Sequence, residues 1–228
     1  MKVTYVYHSC YTVELARHFL VFDYYKGDLP PFPAGKQPVF FVSHAHYDHY
    51  QPRIWEYANS TSAPVYVVDQ GVPLPELPDI HAVSCNQTYS IEGIQVRTLR
   101  STDEGVAFLL RIGKTTLYHA GDLNWWHWEG ASVRENDHHR YAFFHELKKL
   151  RGTKLDVAFL PLDPRQEGNA WWGIKAFVEA VHISHVFPMH FGDKTEAMNA
   201  YLEKELKPYP MIEKVCRCGQ EFFLGESV

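Results

Sequence analysis

The stretch Ser43-His44-Ala45-His46-Tyr47-Asp48-His49 constrains this chain more than any other. It follows an apolar, strand-like run, Val39-Phe40-Phe41-Val42. Four potential metal ligands fall within positions 44–49, where a buried strand ends. Packing gives no reason for that density of polar side chains, whereas neutral imidazole and carboxylate are the usual ligands of zinc and its neighbours. The chain holds 14 histidines, more than a core needs, so some are expected to be functional.

The remaining composition narrows the field. A chain of 228 residues with 46% hydrophobic content can bury a sizeable α/β core, and it is read as one domain over 1–228. The formal charge of −5 argues against general nucleic-acid affinity, which needs a basic face. No apolar run reaches the roughly 18 residues of a membrane span. The opening Met1-Lys2-Val3-Thr4-Tyr5 enters a strand pattern and lacks a signal-peptide core. Cys10, Cys85, Cys216 and Cys218 read as reduced structural thiols, because Cys216-x-Cys218 is tighter than a zinc-knuckle pair and has no second pair to join. A cytoplasmic protein is expected.

Alternation and turn residues predict strands over 3–7, 11–15 and 19–22, arranged as an antiparallel meander. The loop 26–38, rich in proline and glycine, leads to the strand 39–42. Further strands are expected at 64–68, 80–84, 94–99, 106–112, 115–119, 155–160, 185–187 and 222–224, with Gly113-Lys114 as a hairpin turn. Helical spacing is read at 53–59, 133–150, 168–181 and 195–206. Strands first, then strands alternating with helices, predict two packed sheets with helices outside. Arg134–Arg140, with His138 and His139, reads as a solvated helix face, and Lys148-Lys149 likewise.

Three later positions repeat the pattern of a ligand placed after an apolar strand: Asp103 after Val96–Leu99, Asp122 after Thr116-Leu117-Tyr118, and His190 after Val186-Phe187-Pro188. The His-x-His-x-Asp-His spacing of residues 44–49, with Asp122 and His190, resembles the metallo-β-lactamase superfamily. That resemblance covers essentially the whole chain and implies a four-layer αββα sandwich with metals at one edge of the sheets. It implies a first metal on His44 and His46, a second on Asp48, His49 and His190, and Asp122 as the bridge. The turn His8-Ser9-Cys10 and the run Tyr118-His119-Ala120-Gly121-Asp122 look most like the ascorbate-6-phosphate lactonase-like branch. One departure stands out. The family supplies a third histidine to the first metal, but the corresponding loop reads Arg100-Ser101-Thr102-Asp103-Glu104-Gly105. Asp103 is the best replacement, with Glu104, a water, or a weak or empty first site as the alternatives. A carboxylate there hardens the site and favours manganese or iron more than a third imidazole would, although zinc stays ahead on the resemblance.

Two divalent ions about 3.5–4 Å apart hold a hydroxide at neutral pH and polarise the bond it attacks. Asp48 is expected to orient that nucleophile. The expected activity is metal-dependent hydrolysis of an ester, lactone or related bond in a small, anionic metabolite. Phosphodiester cleavage of nucleotides and a degenerate, metal-binding non-enzyme are the alternatives; a redox role is disfavoured because position 46 is histidine. The aromatic cluster Asn124-Trp125-Trp126-His127-Trp128 follows Asp122, and Trp171-Trp172 follows Asp163-Pro164-Arg165. Trp126 and Trp172 are read as pocket walls, His127 as a catalytic residue, either substrate contact or proton donor, and Arg165 as the anion contact. Asp163 reads either as a partner to a ligand histidine or as a turn residue. The partner implied is a small molecule; a homo-oligomer is compatible with the sequence.

Overall fold

The computed structural model describes residues 1–60 and 62–225. Its strands are β1 (Lys2–Tyr7), β2 (Cys10–Glu14), β3 (His18–Phe22), β4 (Gln37–Val42), β5 (Val65–Asp69), β6 (Ile80–Val83), β7 (Thr88–Ile91), β8 (Ile94–Arg100), β9 (Val106–Ile112), β10 (Thr115–His119), β11 (Lys154–Pro161), β12 (His182–Met189) and β13 (Glu221–Phe223). The helices are α1 (Val133–Lys148), α2 (Trp172–Ala180) and α3 (Thr195–Glu203), with 3₁₀ segments at Pro52–Asn59 and Pro164–Asn169.

Two mixed sheets form an αββα sandwich. One runs β13-β1-β2-β3-β4-β5-β6 and the other β12-β11-β10-β9-β8-β7. The expected meander is present: β1, β2 and β3 pair antiparallel. From β3 onward that sheet becomes parallel, through β4, β5 and β6. The second sheet is antiparallel from β7 to β10 and parallel across β10, β11 and β12. In a parallel pair both strands end on the same side. This is why β10 and β12 end at one edge, where β4 of the facing sheet also ends.

Alternation along the strands separates two apolar layers. Phe22 and Phe41 stack with centroids 5.1 Å apart, and Phe22 also meets Phe159 of the other sheet at 5.6 Å. Their neighbours Val21 and Phe40 point the other way, with Tyr66 and Ile54, under the 3₁₀ segment 52–59. The short helix read at 53–59 is thus a 3₁₀ segment. On the far sheet α1 opens with a capping box: Ser132 Oγ accepts from Glu135 N–H, and Glu135 returns to the Ser132 backbone. Phe143 and Leu147 of α1 and Ile174 and Phe177 of α2 join the main core, as does Tyr118, which packs on Phe177 at 5.1 Å.

The strand expectations hold except for β7, which sequence reading missed. β7 is a short edge strand whose Thr88 and Ser90 are exposed; it folds back from β8 through Glu92-Gly93, both at positive φ. All four cysteines are free thiols. Among the described residues, no helix is long and apolar enough to cross a membrane.

Candidate metal centre

Four chain segments meet at one edge of the sandwich. The 43–49 stretch leaves β4, Asp122 follows β10, His190 follows β12, and His8 sits in the β1–β2 turn. Close approach of the first two depends on glycine. A Cβ on Gly105 would lie 1.9 Å from the Ser43 carbonyl oxygen, and one on Gly121 would lie 2.8 Å from Ser43 Cβ. Both glycines also hold positive φ, which side chains resist. His8, Asp23 and His190 carry positive φ as well, at 56°, 44° and 69°, and all three lie at the site. Non-glycine residues are uncommon in that region and cluster at functional sites.

The polar atoms gather into two groups, His44, His46 and Asp122 in one and His8, Asp48, His49 and His190 in the other; within each, one candidate atom per residue lies within 4.8 Å of the rest. Asp122 reaches both. Its Oδ1 is 3.1 Å from His49 Nε2 and 3.3 Å from His190 Nε2, while Oδ2 is 3.4 Å from His44 Nε2. His44 Nε2 is also 3.0 Å from His46 Nδ1.

Each main histidine is oriented from behind. His49 donates from Nδ1 to Asp23 Oδ2 at 2.8 Å. Ser43 Oγ donates to the same carboxylate oxygen at 2.7 Å and lies 2.9 Å from His44 Nδ1, whose proton it accepts. His190 donates from Nδ1 to Asp163 Oδ2 at 3.0 Å, and Arg165 clasps that carboxylate with Nε at 2.8 Å. In each neutral ring these bonds place the proton on Nδ1, so that Nε2, which faces Asp122, is the atom that offers a lone pair to a metal.

The electrostatics follow from this packing. Burial alone would raise the Asp122 carboxyl, but His49 and His190 hold it well below the carboxylate range. Burial likewise opposes ionisation of Asp23 and Asp48, and the surrounding histidines keep both lowered. Burial would strip a proton from His49, yet Asp122 and Asp23 push its pKa well above the usual imidazole value. His8 goes the other way, lowered by burial to about 4.

The donor set fits a metal. His49 Nε2, His190 Nε2 and Asp122 Oδ1 are buried and make no hydrogen bond. Leaving one such atom unsatisfied costs about 1–3 kcal/mol, so three converging on one spot need a shared partner. Imidazole nitrogens and carboxylate oxygens at a strand-anchored edge are donors suited to zinc, iron or manganese.

Beside the two groups lies a cavity of about 430 Å³, lined in part by Asp48, Asp122, Trp126, Trp128, Arg165 and His190. Trp126 stacks on Trp128 and meets His190 edge-on at 5.4 Å. Of the residues read from sequence, Trp126 and Arg165 face this cavity, and His44, His46, Asp48, His49, Asp122 and His190 form the two groups. Four residues stand elsewhere than the sequence suggests. Asp103 is exposed on the cavity rim, outside both groups, and its backbone N–H donates to Ser101 Oγ. Glu104 approaches the first group instead, 3.4 Å from His46 Nε2, the ring atom opposite the one facing His44. His127 packs on Trp172 at 4.9 Å, and Trp172 lines a separate groove with Trp125 and Phe144, on the outer side of the sheet. Finally, His139 leaves the solvated face expected for α1 and lines the cavity. Sequence reading missed His8 as part of the second group and Asp23 as the orienting carboxylate. The strand-end position of Asp23, next to a run as apolar as the one before His44, was the available signal.

Comparison with known proteins gives the family. Residues 2–127 match the profile described as the β-lactamase superfamily domain, so the chain belongs to that family, the metallo-β-lactamase superfamily. It is 28% identical over 217 residues to a UPF0173 metal-dependent hydrolase of Opitutus terrae, covering 84% of this chain and 85% of that one. Among solved structures it resembles Igni18, a metallo hydrolase of Ignicoccus hospitalis, with TM-score 0.64, 15% identity and 98% and 99% of the two chains covered. It also resembles CmlA, a diiron β-hydroxylase of Streptomyces venezuelae, with TM-score 0.65, 12% identity and 98% of this chain but 54% of that one covered. At such identities the structural likenesses speak for the fold alone.

Proposed function

We propose that this chain, a metal-dependent hydrolase of the metallo-β-lactamase superfamily, cleaves an ester or lactone of a small anionic metabolite at a two-metal centre, with zinc the favoured ion. The observation that carries the reading is Asp122, whose two carboxylate oxygens face two separate histidine groups. His44 and His46 would hold one ion and Asp48, His49 and His190 the other, with Asp122 shared between them. Bound ions would supply an activated water at neutral pH and Lewis-acid polarisation of the scissile group.

The chain's own residues do the rest. Asp48, held ionised at the cavity wall, accepts a hydrogen bond from the attacking water and aligns it. Asp23, Ser43 and Asp163 fix the rings of His49, His44 and His190, so no reorientation accompanies the reaction. Trp126 and Trp128 form a flat apolar wall for the substrate body. Arg165, half-exposed at the mouth and anchored on Asp163, favours a negatively charged group there. The lactonase-like reading rests on the turn at His8 and the run Tyr118–Asp122. A panel of phosphorylated lactones, carboxylic esters and bis-p-nitrophenyl phosphate, assayed with zinc or manganese, tests the assignment. Turnover of lactones or esters supports it; turnover of the phosphodiester alone would replace it with the nucleotide-directed alternative.

A further inference from the structure

His8 faces the second group of side chains, but its hydrogen bonds set it apart from the other histidines there. Its Nδ1 accepts the backbone N–H of Gly192 at 3.1 Å. A nitrogen that accepts cannot carry the proton, so the neutral ring is protonated on Nε2. In their neutral forms His44, His49 and His190 have the opposite arrangement, with the proton on Nδ1 and the lone pair on Nε2.

The His8 ring has little freedom to exchange the two. Its backbone N–H donates to Tyr5 Oη at 2.9 Å, and its carbonyl accepts from His190 N–H at 3.1 Å. Tyr5 Oη in turn donates to the Gly192 carbonyl at 3.1 Å. The turn, the ring and the segment after β12 are therefore locked together. His119 gives an internal comparison: its Nδ1 likewise accepts a backbone N–H, from Gly121 at 3.1 Å, and its Nε2–H is satisfied by the Ser9 carbonyl at 3.0 Å. His8 Nε2 has no such partner. It is buried, makes no hydrogen bond, and lies 3.5 Å from Asp48 Oδ2.

We propose that His8 is not a metal ligand but a hydrogen-bond donor, whose Nε2–H binds a substrate oxyanion at the Asp48–His190 edge of the centre. The inference rests on the two-metal hydrolase reading and sharpens it. A fixed N–H beside the attacked bond stabilises negative charge where it develops, without any movement at the moment of reaction. It also leaves Asp48, His49, His190 and the shared Asp122 as the residues that would hold the second ion.

The test is a long-range ¹H–¹⁵N spectrum of the full chain, before and after loading with diamagnetic zinc, combined with zinc stoichiometry and inorganic phosphate titration of wild type, His8→Ala and His8→Gln. The expected result is an Nε2-protonated His8 in both spectra and full zinc content in His8→Ala. Phosphate binding to zinc-loaded His8→Ala should be weaker by roughly tenfold or more, as for loss of a hydrogen bond to a charged group. His8→Gln, which keeps an N–H, should recover part of it. A His8 ring that moves its proton to Nδ1 on zinc loading, a lost zinc in His8→Ala, or unchanged phosphate affinity would overturn the inference while the metal centre stands. A wild-type protein that binds no zinc would overturn the metal reading itself, and this inference with it.

Discussion

His49 Nδ1 donates to Asp23 Oδ2 at 2.8 Å, between two side chains with no solvent exposure. The same carboxylate accepts the Ser43 backbone N–H at 2.8 Å and the Ser43 hydroxyl at 2.7 Å. One aspartate thus orients His49 directly and His44 through Ser43, one histidine in each metal group. Asp23→Ala is expected to weaken metal binding by roughly 10–100-fold in chelator competition, with both groups affected. It should also lower stability by about 1–3 kcal/mol, through donors left unpaired.

The third partner of the first group provides a second prediction. Asp103→Ala should leave metal stoichiometry unchanged, since that side chain lies outside the group. Glu104→Gln should lower metal affinity modestly, because its carboxylate lies 3.4 Å from His46 Nε2 and favours the ring orientation that turns Nδ1 inward. Metal analysis after equilibrium dialysis of both variants separates the two carboxylates.

Trp126 and His127 are neighbours in sequence but face different spaces. Trp126→Ala should raise KM in the hydrolysis assay, since the ring lines the 430 Å³ cavity. His127→Ala and Trp172→Ala should leave kcat within a few-fold of wild type, since these rings pack on each other away from it. A collapse of kcat in His127→Ala would restore the proton-donor role read from sequence.

The clasp on His190 sets a pH dependence. Burial opposes ionisation of Asp163, but hydrogen bonds from His190 and Arg165 dominate and lower its pKa to about 2. In the unfolded chain the carboxyl titrates near 3.9, so below that pH the unfolded state binds the proton first. The contribution, on the order of 2 kcal/mol, is complete above about pH 4 and is lost as pH falls through about 2. Denaturant melts of wild type and Asp163→Asn should therefore differ at neutral pH and converge toward pH 2.

A backbone prediction is independent of the metal. Gly105→Ala places a Cβ 1.9 Å from a backbone oxygen at φ +70° and should destabilise by on the order of 3 kcal/mol, read as a drop in Tm.

The parts of the centre legible in sequence are those written locally. Residues 44–49 stand in one run, and Asp122 and His190 each follow an apolar strand. The same strand-end rule misplaced Asp103, because it fixes where a side chain begins and not which way its loop turns. His8 was not legible as a site residue, and Asp23 only by its place at a strand end. Their roles arise from contacts of the β1–β2 turn with the segment after β12, and of the β3 end with the 43–49 turn, across long sequence separations. Nearness in sequence to Asp122 likewise could not tell that Trp126 turns inward and His127 outward. The 3₁₀ segment at 52–59 was read simply as helix, since a single short turn carries too few residues to distinguish the two periods.

The most direct test of the account is the rate of ester and lactone hydrolysis by chelator-stripped protein as zinc or manganese is returned. The account predicts no turnover in the stripped protein, recovery that saturates with metal, and no recovery in Asp122→Ala, whose carboxylate joins the two groups. Turnover that persists without metal, or that recovers equally in Asp122→Ala, would contradict it.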